Sequence, residues 1–219
     1  MHTEIQKPLA AVQYPTFSEM LRPRNIDELL IPDASISKLK LMVDSRNVMN
    51  MIFYGSAGTG KTTCAKLIGN SENFEMLELN ASSTNSIDDI RNQVERYATA
   101  MSLYGNARVV LLDEADYLSR SAQASLRGLI EKTYANCRFI LTSNDLRRIQ
   151  EPLQSRCKPI AFNVGFDSLD SAIAKLTKTI ISRLKEMNVE IDLPRLNQIV
   201  FMKFPDYRAI ANDIEFEFL

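Results

Sequence analysis

Five runs along the chain are almost continuously apolar and rich in β-formers: MNMIFY at 49–54, MLELN at 76–80, RVVLL at 108–112, RFILT at 138–142 and PIAFNV at 159–164. Longer stretches with apolar residues at helical spacing separate them. Short strands without a polar face must be covered on both sides, and strands joined through helices run parallel. This alternation therefore predicts an α/β fold, a parallel five-stranded sheet sandwiched by helices. After Val164 the period changes. Leu169, Ile173, Leu176, Ile180, Leu184 and Met187 recur at helical spacing behind Asp167 or Ser168 as N-cap, and shorter helical segments begin near Pro194 and Asp206. The pattern predicts two units, a sheet-bearing domain over 1–163 and a small all-α domain over 164–219.

Composition narrows the class. At 219 residues, 45% hydrophobic and 24% charged, the chain can bury a sizeable core. Its apolar runs fall far short of the ~20 residues that span a bilayer, and the start, MHTEIQKPLA, has no charged stretch followed by an apolar one, so the expectation is a cytoplasmic protein without a membrane partner. Cys64, Cys137 and Cys157 are odd in number and lack C-x-x-C spacing, which favours reduced structural thiols. With a net charge of -1, any nucleic-acid contact has to come from local geometry.

The sharpest chemical signal is GSAGTGKT, Gly55 to Thr62, which fits G-x-x-x-x-G-K-[ST] between a predicted strand and a predicted helix, TTCAKLIGN, opening with Thr62 and Thr63. In such a P-loop, Gly55, Gly58 and Gly60 let the backbone turn the amides of Ser56, Ala57, Thr59 and their neighbours toward phosphate, aided by the helix dipole. Lys61 should reach the β and γ phosphates of ATP, and Thr62 should ligate Mg2+. In LLDEAD, 111–116, two carboxylates end a buried strand, where they need cations or water to meet. Asp113 is expected on the metal's water shell and Glu114 to polarise the attacking water. Asn144 ends RFILTSN. With its strand between the first and third, its amide would stand between the phosphate loop and Glu114, although an Asn there is also a common turn former.

Taken together, GSAGTGKT, LLDEAD, LTSN, SRC and FPDYR resemble the AAA+ ATPases, and within them the clamp-loader subunits of the replication factor C and T-even phage types. LRPRNIDELLIPD is similar to the segment that packs on adenine, carrying Arg22 and Pro23. NASSTNSIDDIR is similar to the DNA-touching loop and helix start, and DEADYLSRSAQASLRGLIEK to the helix with a glutamine switch, Gln123, and a basic residue, Arg127. The resemblance implies that Arg156 of SRC enters the neighbouring subunit's ATP site as a finger, with a structural salt bridge at a helix end as the alternative. It also implies that Arg208 senses γ-phosphate within its own subunit.

The resemblance implies an Mg2+-dependent ATPase acting in a homo- or hetero-oligomeric ring with other clamp-loader subunits, a sliding clamp and primer–template DNA, in the host cytoplasm if viral. Asn85 and Ser86 stand where an arginine and a glycine are usual, and Gly128 where a second arginine follows Arg127. DNA contact then falls to Ser82, Ser83, Thr84, Asn85, Gln123 and Arg127, on phosphates rather than bases, or the loop is only a polar cap. SSTNSID has no pore-loop aromatic, which disfavours a protein unfoldase. Met101, Leu103 and Tyr104 are candidates for facing a clamp or for the core. The chain ends at EFEFL, where the family continues into a collar, so the sequence is a fragment or a version whose ring relies on the ATPase interfaces, DNA or a partner. The alternatives are another DNA-associated motor, of helicase-loader or branch-migration type, and a nucleotide-dependent scaffold.

Overall fold

The computed structural model describes residues 17–83, 87–100, 107–163 and 169–218. Five strands, β1 (Met51–Tyr54), β2 (Phe74–Asn80), β3 (Ala107–Asp113), β4 (Cys137–Ser143) and β5 (Lys158–Ala161), form one sheet in the order β2-β3-β4-β1-β5. All pairings are parallel, with Met51 opposite Ile140 and Lys158, and Phe74 opposite Ala107. The helices are α1 (Phe17–Met20), α2 (Asp33–Asp44), α3 (Lys61–Gly69), α4 (Ile87–Thr99), α5 (Arg120–Thr133), α6 (Glu151–Gln154), α7 (Leu169–Glu186), α8 (Leu193–Lys203) and α9 (Tyr207–Phe218).

Side chains alternate across a strand, so the apolar runs feed two cores at once. Ile52, Val110, Leu112, Phe139 and Leu141 enter the core under α4, α5 and α6. Met51, Phe53, Val109, Leu111 and Ile140 enter the opposite one, with Leu39 of α2 and Cys64, Ala65 and Ile68 of α3. The edge strand β2 carries Glu75 and Glu78 and is only partly buried, whereas β3 is buried from Arg108 to Leu112. Cys64, Cys137 and Cys157 are free and buried, and burial pushes the thiols up, to about 11 for Cys137 and about 12 for Cys157, which suits inert structural thiols.

A third core joins Leu176, Ile180 and Leu184 of α7 to Leu196 and Val200 of α8 and Ile210 and Ile214 of α9. Phe17, Leu21 and Leu30 belong to it as well, so α1 packs with these helices and not with the sheet. Asp192 and Asp206 cap α8 and α9, whereas Asp167 and Ser168, the expected cap of α7, lie outside the described residues. The segment before α2 ties the helices down. Lys175 donates to the Leu29 carbonyl at 3.0 Å, Arg183 to Glu28 Oε2 at 3.0 Å, and the Tyr207 hydroxyl to the Glu28 carbonyl at 3.2 Å.

Candidate functional site

The carboxyl ends of β1, β3 and β4 converge where the sheet order reverses, the place at which open α/β sheets bind ligands. Because β4 lies between β3 and β1, Asn144 is set between the loop after β1 and the acids after β3. The backbone helps hold this arrangement, with the Gly55 N–H donating to the Ser143 carbonyl at 3.3 Å.

Lys61 opens α3 and is only 7% exposed. Its Nζ donates to the carbonyls of Gly55 (2.8 Å) and Ser56 (2.7 Å) and to Asn144 Oδ1 (3.1 Å). Burial lowers its pKa, opposed by the carboxylates of Asp113, Asp116 and Asp206. The next residue connects to the acids. Thr62 Oγ1 donates to Asp113 Oδ1 at 2.7 Å, and Thr142 Oγ1 donates to the same oxygen at 2.6 Å. Thr142 in turn accepts from the Glu114 N–H at 2.9 Å, while Glu114 holds the left-handed conformation at φ 58, which costs an L-residue ~1–2 kcal/mol. That strain turns the chain sharply at the end of β3. The result is a hard oxygen pair, Thr62 with Asp113, of the kind a small divalent cation takes.

These groups border a cavity of about 240 Å3 lined by Gly58, Thr59, Gly60, Lys61, Thr62, Thr63 and Asp113, and by Arg22, Pro23 and Arg208. Residues from the loop, the N-terminal segment and α9 are thus brought together, as are Ser18, Tyr207 and the Lys66–Glu78 ion pair at 2.7 Å. Ser56 and Ala57 are exposed at the loop's tip. Sequence reasoning missed Thr142 and Tyr207. The only signal for Thr142 was a hydroxyl inside an otherwise apolar strand run, and Tyr207 is drawn in by its N–H, which donates to the Gly58 carbonyl at 3.0 Å.

Gly58 marks how closely α9 approaches the loop. Its φ is +73, and a Cβ there would lie 1.8 Å from Asp206 Oδ1, the oxygen that caps α9 through the Arg208 and Ala209 amides. Gly58→Ala is therefore expected to push α9 off the loop and weaken nucleotide binding about 5- to 150-fold, the equivalent of the ~1–3 kcal/mol such strain costs. Gly128→Ala, on an open face of α5, is expected to stabilise by roughly 1 kcal/mol. Isothermal titration and thermal melts of the two variants check this; equal affinities would refute the close approach.

The other expected residues lie elsewhere. Arg156 does not border the cavity; it pairs with Glu131 at the end of α5. Gln123 requires a correction: it is 3% exposed and faces inward, its Nε2 donating to the Leu118 and Arg148 carbonyls and its Oε1 accepting from the Gln150 N–H at 2.8 Å. An amide so fully used within the fold does not reach a DNA backbone. Arg127, Ser82 and Ser83 are exposed, with Ser82 bonded to Asn80 Oδ1 at 2.8 Å. Thr84, Asn85, Met101, Leu103 and Tyr104 lie outside the described residues.

The description of the ATPase family associated with various cellular activities (AAA) matches residues 51–164, a span that takes in the phosphate loop, both acids and Asn144. The chain belongs to the AAA ATPases. Membership implies nucleotide binding by this AAA ATPase. It is 38% identical over 210 residues to the replication factor C small subunit of Staphylothermus marinus, a match covering 91% of this chain and 60% of that protein. It is 33% identical over 203 residues to replication factor C subunit 4 of Encephalitozoon cuniculi, covering 89% and 62%. The chain thus spans about 60% of the length of these curated relatives. The Thermotoga maritima RuvB Holliday junction branch migration motor shares the fold at 18% identity and a TM-score of 0.68, covering 88% of this chain and 63% of that one. No helix among the described residues is long and apolar enough to cross a membrane.

Proposed function

We propose that this chain is the ATP-hydrolysing subunit of a sliding-clamp loader, working in a cytoplasmic ring with other loader subunits to open or place a clamp on primer–template DNA. The observation that carries this reading is the convergence of Lys61, Thr62, Asp113 and Arg208 on one cavity, with Asn144 bonded to Lys61 and Glu114 next along the chain from Asp113, a set larger than binding alone requires. The names of the replication factor C relatives support the narrower assignment, whereas the likeness to the branch migration motor bears on the fold alone.

In this reading Lys61 and the loop amides hold the β and γ phosphates, while Arg22 and Pro23 flank the base. Thr62 and Asp113 hold Mg2+, which draws charge off the phosphates when bound. Among the described residues no group of three or more His, Cys, Asp or Glu side chains is gathered to hold a metal, as befits an ion carried mostly by phosphate and water. Glu114 takes a proton from the attacking water, and Asn144, held by Lys61, positions that water. Arg208 touches γ-phosphate at the start of α9, whose first N–H binds the Gly58 carbonyl, so nucleotide state reaches the helical unit. The division into domains at 163/164 belongs to this proposal, with α1 as a strap that the N-terminal unit lends to the helical core. Arg127, Ser82 and Ser83 supply exposed groups for a phosphate backbone.

The test is the ATPase rate of assembled rings with and without primed DNA and the cognate clamp. We expect the two together to raise turnover well above the basal rate. A rate indifferent to both, in rings shown to bind them, would exclude clamp loading.

A further inference from the structure

Arg156 stands two residues past α6, and its guanidinium is held on two sides. Nε donates to Glu131 Oε1 at 2.7 Å and Nη2 donates to the same oxygen. Nη1 turns back to the Pro152 carbonyl at 2.7 Å and Ser155 Oγ at 3.3 Å. A guanidinium is a rigid planar fork with two usable edges, one between Nε and Nη2 and one between Nη1 and Nη2. Glu131 occupies the first of these. On the second, Nη1 is taken by Pro152 and Ser155, and Nη2 keeps one N–H beyond its bond to Glu131.

The pair is partly exposed, at 31% for Arg156 and 54% for Glu131, and such pairs add little to stability. It can nevertheless decide where a long, rotamer-rich side chain waits. The surroundings suit an anionic visitor, since Arg156 shares a shallow concavity of about 520 Å3 with Arg138 and Lys158, beside the exposed Tyr134 and Met49.

We infer that Glu131 is the positioning residue of the Arg156 finger: it grips the Nε–Nη2 edge of the guanidinium so that the remaining Nη2 N–H is presented to the γ-phosphate bound by the neighbouring subunit. This rests on the proposed ring. Glu131 never touches nucleotide and acts only through Arg156. Glu131 does not line the concavity that Arg156 borders, so it orders the finger without filling that space.

Glu131→Ala frees the side chain, and the ordering it loses has to be recovered at each turnover. Turnover of assembled rings is expected to fall about three- to tenfold with KM for ATP unchanged. Glu131→Gln keeps an oxygen acceptor for Nε and Nη2 and should retain most of the rate. Nucleotide affinity and melting temperature of the isolated chain should be unchanged in both.

Mixed rings locate the defect. When Glu131→Ala subunits are mixed with Glu114→Gln subunits, an interface taking its site from the first and its finger from the second is complete, so activity should recover. Arg156→Ala mixed with Glu114→Gln is the control. If the control recovers and the Glu131→Ala mixture does not, Glu131 serves its own subunit and the inference fails alone. If neither recovers, the division of the site between subunits fails. A rise in turnover on Glu131→Ala would show that Glu131 restrains the finger, which also overturns the inference.

Discussion

Lys61→Ala is expected to abolish measurable ATP binding, whereas Glu114→Gln should bind ATP within a few-fold of the parent and lose turnover. The difference follows from what each group meets. The Lys61 ammonium is nearly buried and held at the loop by two loop carbonyls and Asn144, so it meets phosphate by exchanging one of these three bonds rather than by travelling in from solvent. Removing it deletes charge-assisted bonds worth ~1.5–3 kcal/mol each, and two of them lost amount to roughly a hundredfold or more in affinity. Glu114 touches no loop atom among the described contacts. Its backbone N–H is anchored on Thr142, and its role begins only when a water must lose a proton, a contribution of about 10²–10⁴ in rate. Equilibrium binding of a fluorescent ATP analogue beside single-turnover hydrolysis separates the two, and equal loss of binding in both variants would remove the assignment of roles.

The largest rate effect is expected at Arg156. Arg156→Ala in assembled rings should lower turnover by about three to five orders of magnitude, the range typical of an arginine finger, while leaving nucleotide affinity of the single chain intact. The geometry within one chain supports a trans role, because Arg156 lies outside the wall of its own cavity and is occupied with Glu131 and the Pro152 carbonyl. Arg156→Ala and Glu114→Gln subunits, each nearly inactive, should regain part of the activity when mixed, since one of the interfaces then pairs an intact Glu114 with an intact Arg156. Sizing must show that both variants still assemble. Mixed rings that stay as inactive as their components would place Arg156 in its own site or in a purely structural pair.

Strand positions were legible because the strands are short, the central ones apolar on both faces, and all are separated by helical stretches, a pattern that a covered parallel sheet satisfies. The phosphate loop was legible for a related reason: three glycines, a lysine and a hydroxyl at fixed spacing make a local structure whose bonds are mostly to itself. The runs MNMIFY and RVVLL fall on β1 and β3, and Lys61 and Asp113 on the cavity wall, much as their spacing implied.

Contacts between distant segments could not be read the same way. Gln123 was expected, from the resemblance, as a switch glutamine among the groups that meet DNA. Only the tertiary structure supplies the Leu118 and Arg148 carbonyls and the Gln150 amide that consume it, because nothing in α5 records how the chain after β4 folds back. The apolar residues in and just after α1 were equally uncommitted until helix packing assigned Phe17 and Leu21 to the core of α7–α9. Thr142 became a bridge between Asp113 and Glu114 only because β4 was inserted between β3 and β1. The sequence by itself determined the period of each element and the chemistry of the phosphate loop, since both depend on neighbours along the chain. The fold alone decided which edge of Arg156 is gripped, because Glu131 meets it from 25 residues away.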